Sequence, residues 1–186
     1  TISINALGGQ GGGVLANWII ALAEMEGYIA QGTSVPGVAQ RTGATIYCVE
    51  LFPKSAVKNG VEPILSLMPV PGDVDIVLAS EWMEAGRAIT RGLVTPDQTT
   101  VIASTHRDYA LSEKSAIDDG RANAQIVEDA LQLHARNHLY FDMAASAKRA
   151  GCAISAVLFG ALAGSNALPF PRASYEEVIK ASGRNT

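Results

Sequence analysis

The stretch Ala6 to Asn17, Ala-Leu-Gly-Gly-Gln-Gly-Gly-Gly-Val-Leu-Ala-Asn, constrains the fold of this chain more than any other. An alternating run, Ile2-Ser3-Ile4-Asn5-Ala6-Leu7, leads into it, and a long apolar segment ending near Gly27 leads out. The order reads as strand, tight glycine turn, helix. In a parallel sheet such a turn lies at the carboxyl end of the first strand, where α/β proteins gather ligands and partners. Glycine serves there by adopting positive φ, by letting a ligand approach the backbone, or by letting helix and strand pack closely. The N–H groups at a helix start also attract anions. Two readings stay open: Gly8, Gly9, Gln10, Gly11 and Gly12 contact a ligand, or they only turn the first strand into its helix.

The turn fails both common nucleotide fingerprints. G-x-G-x-x-G begun at Gly9 needs a sixth-position glycine where Val14 stands; begun at Gly8, it meets Gln10 at the second glycine. The second strand carries Gln31 and no Asp or Glu to hold a ribose, and no Lys-Ser/Thr follows the last glycine as a P-loop requires.

With 186 residues the chain is expected to form one domain, residues 1–186. A formal charge of −4 without a basic stripe argues against nucleic acid. Cys48 and Cys152, its two cysteines, are far apart. They cannot by themselves hold an iron–sulfur cluster or a four-cysteine zinc ion, and no disulfide framework is expected, which fits a reducing, cytoplasmic setting. Gly151 to Phe170 has no charge, but Ser155, Ser165, Asn166 and Pro169 interrupt it, so a buried helix over Ile154–Ala163 is expected rather than a membrane span.

Strands then alternate with helices. Strands are expected at Ile2–Leu7, about Tyr28–Thr33, Ala44–Phe52, Asp75–Ser80, Thr99–Ala103 and His138–Phe141. No helix separates the second from the third, so the third should lie at an edge or pair antiparallel. After the first strand comes a deeply buried apolar helix. The helix after Ser80 has that serine as its cap, Glu81 and Glu84 in its first turn, and Gly92 as its stop. Lys54 to Pro71 reads as loop with room for a short helix or strand at Ile64–Leu67, and Thr105 to Gly120 as polar, with a short helix at Leu111–Ala116. A helix over Ala122–Asn137 should present Ile126, Ala130 and Leu133 on one face. Asp142 caps a short helix ending near Gly151, and Ser174-Tyr175-Glu176-Glu177 forms a capping box for the last one. The fold class is α/β: a Rossmann-like, doubly wound, mostly parallel sheet with helices on both faces.

Few residues suggest chemistry. Of the three histidines, His134 lies on a helix, His138 opens a strand, and His106 alone follows a strand end, the usual place for α/β active sites. Asp73, Asp75, Asp118 and Asp119 read as turn and solvent-facing residues, and Cys48 as a small core hydrophobe. There is no G-x-S-x-G elbow. Gln40, Arg41, Thr42 and Gly43 lie in the loop from Pro36 to Gly43, where an Arg can fork onto a phosphate or carboxylate. That loop could lie near the glycine turn.

Gly8-Gly9-Gln10-Gly11-Gly12 after the first strand, with Ala39-Gln40-Arg41-Thr42-Gly43 after the second, resembles the gamma subunit or domain of 2-oxoacid:ferredoxin oxidoreductases. The nearest likeness is to the beta subunit of indolepyruvate ferredoxin oxidoreductase. It continues in Ser80-Glu81 and in the apolar run from Ile154 to Leu168 before Pro169, so it covers nearly the whole chain. Pro36, Thr42 and Ser155 depart from the residues common in the family, which reads His, Gly and Asn there. The resemblance implies an enzyme that oxidatively decarboxylates a 2-oxoacid, in this branch an arylpyruvate, to an acyl-CoA, using thiamine diphosphate and iron–sulfur clusters that feed ferredoxin. This chain has neither the cluster cysteines nor a Gly-Asp-Gly … Asn-Asn thiamine pattern, so it is expected to bind none of these cofactors and to be inactive alone. Its implied partner is the thiamine- and iron–sulfur-bearing subunit or domain, with ferredoxin reached indirectly and a homodimer left open. Gly8–Gly12, Gln40–Gly43, Ser80, Glu81 and His106 are then ligand or interface candidates. A free-standing nucleotide- or flavin-binding protein and a pure interaction module are the alternatives.

Overall fold

β1 (Ile2–Leu7) sends Ile2 and Ile4 to one face of the sheet and Ser3 and Asn5 to the other, and all four are buried. A strand buried on both faces belongs in the interior of a sheet covered on both sides. The computed structural model, which describes residues 1–35, 44–108 and 123–183, places it so. Its six strands run in the order β2-β3-β1-β4-β5-β6, with β2 at Tyr28–Val35, β3 at Ala44–Pro53, β4 at Ile76–Ala79, β5 at Thr100–Ser104 and β6 at Asn137–Phe141. β1, β4, β5 and β6 are parallel; β3 is antiparallel to both β1 and β2. The third strand thus pairs antiparallel, as expected, and the edge position falls to β2.

Helices cover both faces. α1 (Gly12–Met25), α4 (Met143–Ala150), α5 (Ile154–Ser165) and α6 (Arg172–Ala181) lie on the face carrying Ile4, Ile76, Leu78 and Ile102. α1 buries Leu15, Trp18, Ile19 and Leu22 there, and Trp18 meets Phe159 of α5 with ring centroids 5.5 Å apart. α2 (Trp82–Thr90) and α3 (Ala124–His134) cover the opposite face over Val77, Ala79, Val101 and Ala103. No helix among the described residues is long and apolar enough to cross a membrane.

Four local expectations are corrected. The cap of α2 is Glu81, not Ser80: its Oε2 accepts from the N–H of Met83 at 2.8 Å and of Glu84 at 3.2 Å. Ser80 is still in the strand-to-helix turn, and its hydroxyl is spent elsewhere. α3 turns Val127 and Leu131 inward and leaves Ile126 and Leu133 64% and 70% exposed. Both sets fit a helical period, and the neighbour decides: α2 presents Gly86, where even a Cβ would stand 3.0 Å from Val127. The capping box does not form, because α6 starts earlier, after Pro171, and Ser174 lies inside it, bonded through its hydroxyl to Glu26 beyond α1. Residues 64–67 form neither helix nor strand; their carbonyls instead accept from β2, with Gln31 Nε2 donating to Ser66 O at 3.2 Å. The short helix expected at 111–116 lies outside the described residues.

Candidate functional site

α1 leaves β1 on one face and α2 leaves β4 on the other, so the neighbouring carboxyl ends of β1 and β4 form the switch point of the sheet. In open α/β sheets ligands bind in the crevice at this place. Here the chain's own side chains fill it. Gln10 N donates to Leu7 O at 3.2 Å, which closes the turn, and the side chain folds back so that its Oε1 accepts from Leu7 N at 3.2 Å and from the Ser80 hydroxyl. With the oxygen taken by two donors, the amide nitrogen faces the segment after β5, 2.6 Å from Asp108 Oδ2 and 3.5 Å from His106 Nε2.

That segment is fixed along its length. His106 O accepts from Trp82 N at 3.1 Å, and His106 Nδ1 lies 2.8 Å from Ser104 Oγ, which also accepts from Met143 N at the start of α4. Arg107 Nε pairs with Glu81 Oε1 at 3.3 Å, and Asp108 N donates to the same oxygen at 3.3 Å. Glu81 is 1% exposed. Burial pushes its carboxyl above the usual carboxylate range, while the N–H donors of Met83 and Asp108, the Arg107 charge and the N–H of Glu84 pull the other way. Three strand ends are thereby joined through Gln10, Ser80, Glu81 and His106.

The open space lies on the other side of the glycine turn. A cleft of about 600 Å³, within the range of small-molecule sites, is walled by Gly8, Gly9, Gly11 and Gly12, floored by Asn17 and Ile20 of α1, and closed by Thr33, Ser34 and Tyr47 of β2 and β3. Two glycines are required by geometry. Gly11 caps α1 at φ +77°, and a Cβ there would stand 2.7 Å from Ser155 Oγ on α5. Gly12 has its Cα against the Tyr47 ring and Ala6, which a Cβ would meet at 2.6 and 2.8 Å. α1 has no side-chain cap, so its first N–H groups lack a partner of that kind, and Gly12, Gly13 and Val14 at its start line the cleft. Both stems of the 36–43 segment rise beside this mouth: Leu7 pairs with Ala44, and Val35 with Ile46. Gln40, Arg41, Thr42 and Gly43 themselves lie outside the described residues.

Tyr47, Asn17 and Thr33 join the site through the cleft they line, and Asp108 through its bond to Gln10. Strand alternation would have flagged Tyr47, since it stands opposite Ile4 and so faces α1. Asp108 carried no signal beyond its place two residues past His106. His134 and His138 are exposed, away from the cleft, and Cys48 is a buried core residue as expected. Burial and the adjacent Glu50 push the Cys48 thiol up to about 11, which makes it a poor thiolate.

A sequence profile of the pyruvate ferredoxin/flavodoxin oxidoreductase family matches residues 1–185. The chain belongs to that family. The pyruvate oxidoreductase subunit PORC of Thermotoga maritima has the same fold, with a TM-score of 0.59 at 17% identity over 97% of this chain and 83% of that one. The gamma subunit of a keto/oxoacid ferredoxin oxidoreductase from Geobacter sulfurreducens matches with a TM-score of 0.56 at 12% identity, over 97% and 84%. The 2-oxoglutarate:ferredoxin oxidoreductase of Magnetococcus marinus, solved with 2-oxoglutarate, coenzyme A and succinyl-CoA, matches with a TM-score of 0.59 at 14% identity; the present chain spans 97% of itself but only 26% of that chain. At these identities the likeness establishes the fold. No curated protein matches in sequence.

The oxidoreductases of this family use iron–sulfur clusters, thiamine diphosphate and coenzyme A. The donor set of this chain does not fit a cluster, since an iron–sulfur centre takes four cysteine thiolates or their equivalents and the chain has two cysteines, one in β3 and one after α4.

Proposed function

We propose that this chain is the gamma-type component of a cytoplasmic 2-oxoacid:ferredoxin oxidoreductase of the indolepyruvate or arylpyruvate branch, which converts a 2-oxoacid to an acyl-CoA. The cofactor-bearing chain performs the redox chemistry. This chain completes the assembly, and its cleft receives an anionic group of the 2-oxoacid or of CoA. The observation that carries the reading is the cleft beside the glycine turn. It is walled by backbone, lies at the N-terminus of an uncapped helix, and has the stems of the Arg41 segment at its mouth. Oriented N–H groups and an arginine are suited to a carboxylate or phosphate, and Thr33, Ser34 and Tyr47 add hydroxyls for orientation.

Kinetics of the assembled enzyme test the ligand role. Arg41→Ala is expected to raise KM for CoA or for the arylpyruvate about tenfold, the size of one charge-assisted hydrogen bond. Unchanged kinetics in Arg41→Ala would place the ligand elsewhere.

A further inference from the structure

The crevice where this fold class usually seats a ligand is filled by Gln10, and the way it is filled assigns a role to that residue. We propose that Gln10 is a positioning residue. It holds the glycine turn, and with it the wall of the cleft, at a fixed setting by tying it to Asp108 across the switch point, and it does not touch the ligand itself. The inference rests on the oxidoreductase reading only for its kinetic consequence.

Three observations carry it. First, the side chain is fully occupied: Oε1 takes the Leu7 N–H and the Ser80 hydroxyl, and Nε2 gives its shortest bond, 2.6 Å, to Asp108. Second, the far partner is itself anchored, because Asp108 N and Arg107 Nε both meet the buried Glu81, which also caps α2. The turn is therefore tied to a carboxylate that is itself 56% exposed but sits on a backbone held by Glu81. Third, the opposite wall of the same turn is set by contact, through Ser155 behind Gly11 and Tyr47 behind Gly12. Leu7 to Gly12 is thus held from three sides, and the contact with the segment after β5 passes through one carboxamide.

Hydrogen-bond logic gives this arrangement a signature. An amide nitrogen only donates. The tautomer that suits a donating amide 3.5 Å from His106 Nε2 leaves that nitrogen bare and carries the ring proton on Nδ1, 2.8 Å from Ser104 Oγ. Asp108 Oδ2 stands 3.6 Å from the same Nε2 and accepts from Gln10 at 2.6 Å. Replacing the amide by a carboxylate reverses the demand on Nε2 and sets two carboxylates face to face.

The test is a polarity swap read in two ways. In the isotopically labelled chain, ¹⁵N shifts of His106 are expected to report the Nδ1–H tautomer in the wild type and the Nε2–H tautomer in Gln10→Glu. In the assembled enzyme, Gln10→Glu and Asp108→Ala are each expected to raise KM for CoA or 2-oxoacid about tenfold with kcat within about twofold, as loss of one charge-assisted hydrogen bond allows. Gln10→Glu combined with Asp108→Asn restores the bond with donor and acceptor exchanged and returns KM to within about threefold of wild type. A swap that fails to restore KM, or an Asp108→Ala variant with wild-type kinetics, overturns the positioning role and makes Gln10 a direct contact or a structural residue only. A ring proton that stays on Nδ1 in Gln10→Glu also overturns it. If the assembled wild type shows no 2-oxoacid activity while the tautomer moves as expected, the link across the switch point stands and the oxidoreductase reading fails.

Discussion

Glu84 shows how far a single residue can run against its surroundings. Its side chain on α2 is 1% exposed and paired with Arg87, and its Oε2 finds no donor among the described residues. Burial holds its carboxyl above the ordinary 4.5, with Arg87 and Arg91 opposing, and Glu81 is raised for the same main reason. When the folded value is raised, the native state binds the proton more tightly than the unfolded chain does. The stability this confers is complete below about pH 4.5 and is lost as pH rises through the raised folded values. Glu84→Gln removes that titration. The denaturant midpoint of the wild type is therefore expected to fall relative to that of the variant as pH rises from 4.5 toward neutrality; parallel curves would show that burial of Glu84 carries no such linkage. The glycines give a second test at this scale. Gly11→Ala combines positive φ with a contact at 2.7 Å, and Gly12→Ala meets the Tyr47 ring at 2.6 Å, so each is expected to destabilise by about 1–3 kcal/mol. Gly160 in α5 has open space around it, and Gly160→Ala should gain about 0.5–1 kcal/mol from helix propensity. Urea unfolding of the three variants ranks them; a silent Gly12→Ala would mean that α1 does not pack on Tyr47 as closely as described.

At the scale of elements, what could be read from the sequence was what local chemistry controls. β1 was legible from an alternating run and β4 from a continuous apolar one, α4 from Asp142 at its start and Gly151 at its end, and α5 from an uncharged stretch too interrupted to span a membrane. What could not be read was which of two equivalent choices a neighbour would select. Val127 and Leu131 fit the helical period as well as Ile126 and Leu133 do, and Gly86 on another helix decides between them. Ser80 and Glu81 both fit a cap, and the second wins because the hydroxyl of the first is already engaged with Gln10. Val127→Ala and Leu131→Ala are accordingly expected to cost about 1–4 kcal/mol, against about 0.5 kcal/mol for Ile126→Ala or Leu133→Ala. Equal losses in the two pairs would place the buried face of α3 elsewhere.

At the scale of the whole molecule, the strand, glycine turn and helix at the start of the chain were enough to read a mostly parallel α/β sheet. Gln10 occupies the switch-point crevice, and the open cleft lies beside it, over β2 and β3. The glycine wall of the cleft was legible in the sequence, whereas Thr33 and Tyr47 reach it through strand pairing. The family follows from the match over residues 1–185, and two cysteines fall short of the four thiolates that an iron–sulfur cluster takes. The most direct test of this account is affinity purification of the tagged chain from its native host. The eluate is analysed for thiamine diphosphate and iron, and assayed for CoA-dependent reduction of ferredoxin or a dye by an arylpyruvate. The account predicts a larger cofactor-bearing polypeptide that retains this activity, while the separated chain carries neither cofactor nor activity. A chain that elutes alone with a stoichiometric nucleotide or flavin would contradict it and make the protein an independent binding enzyme.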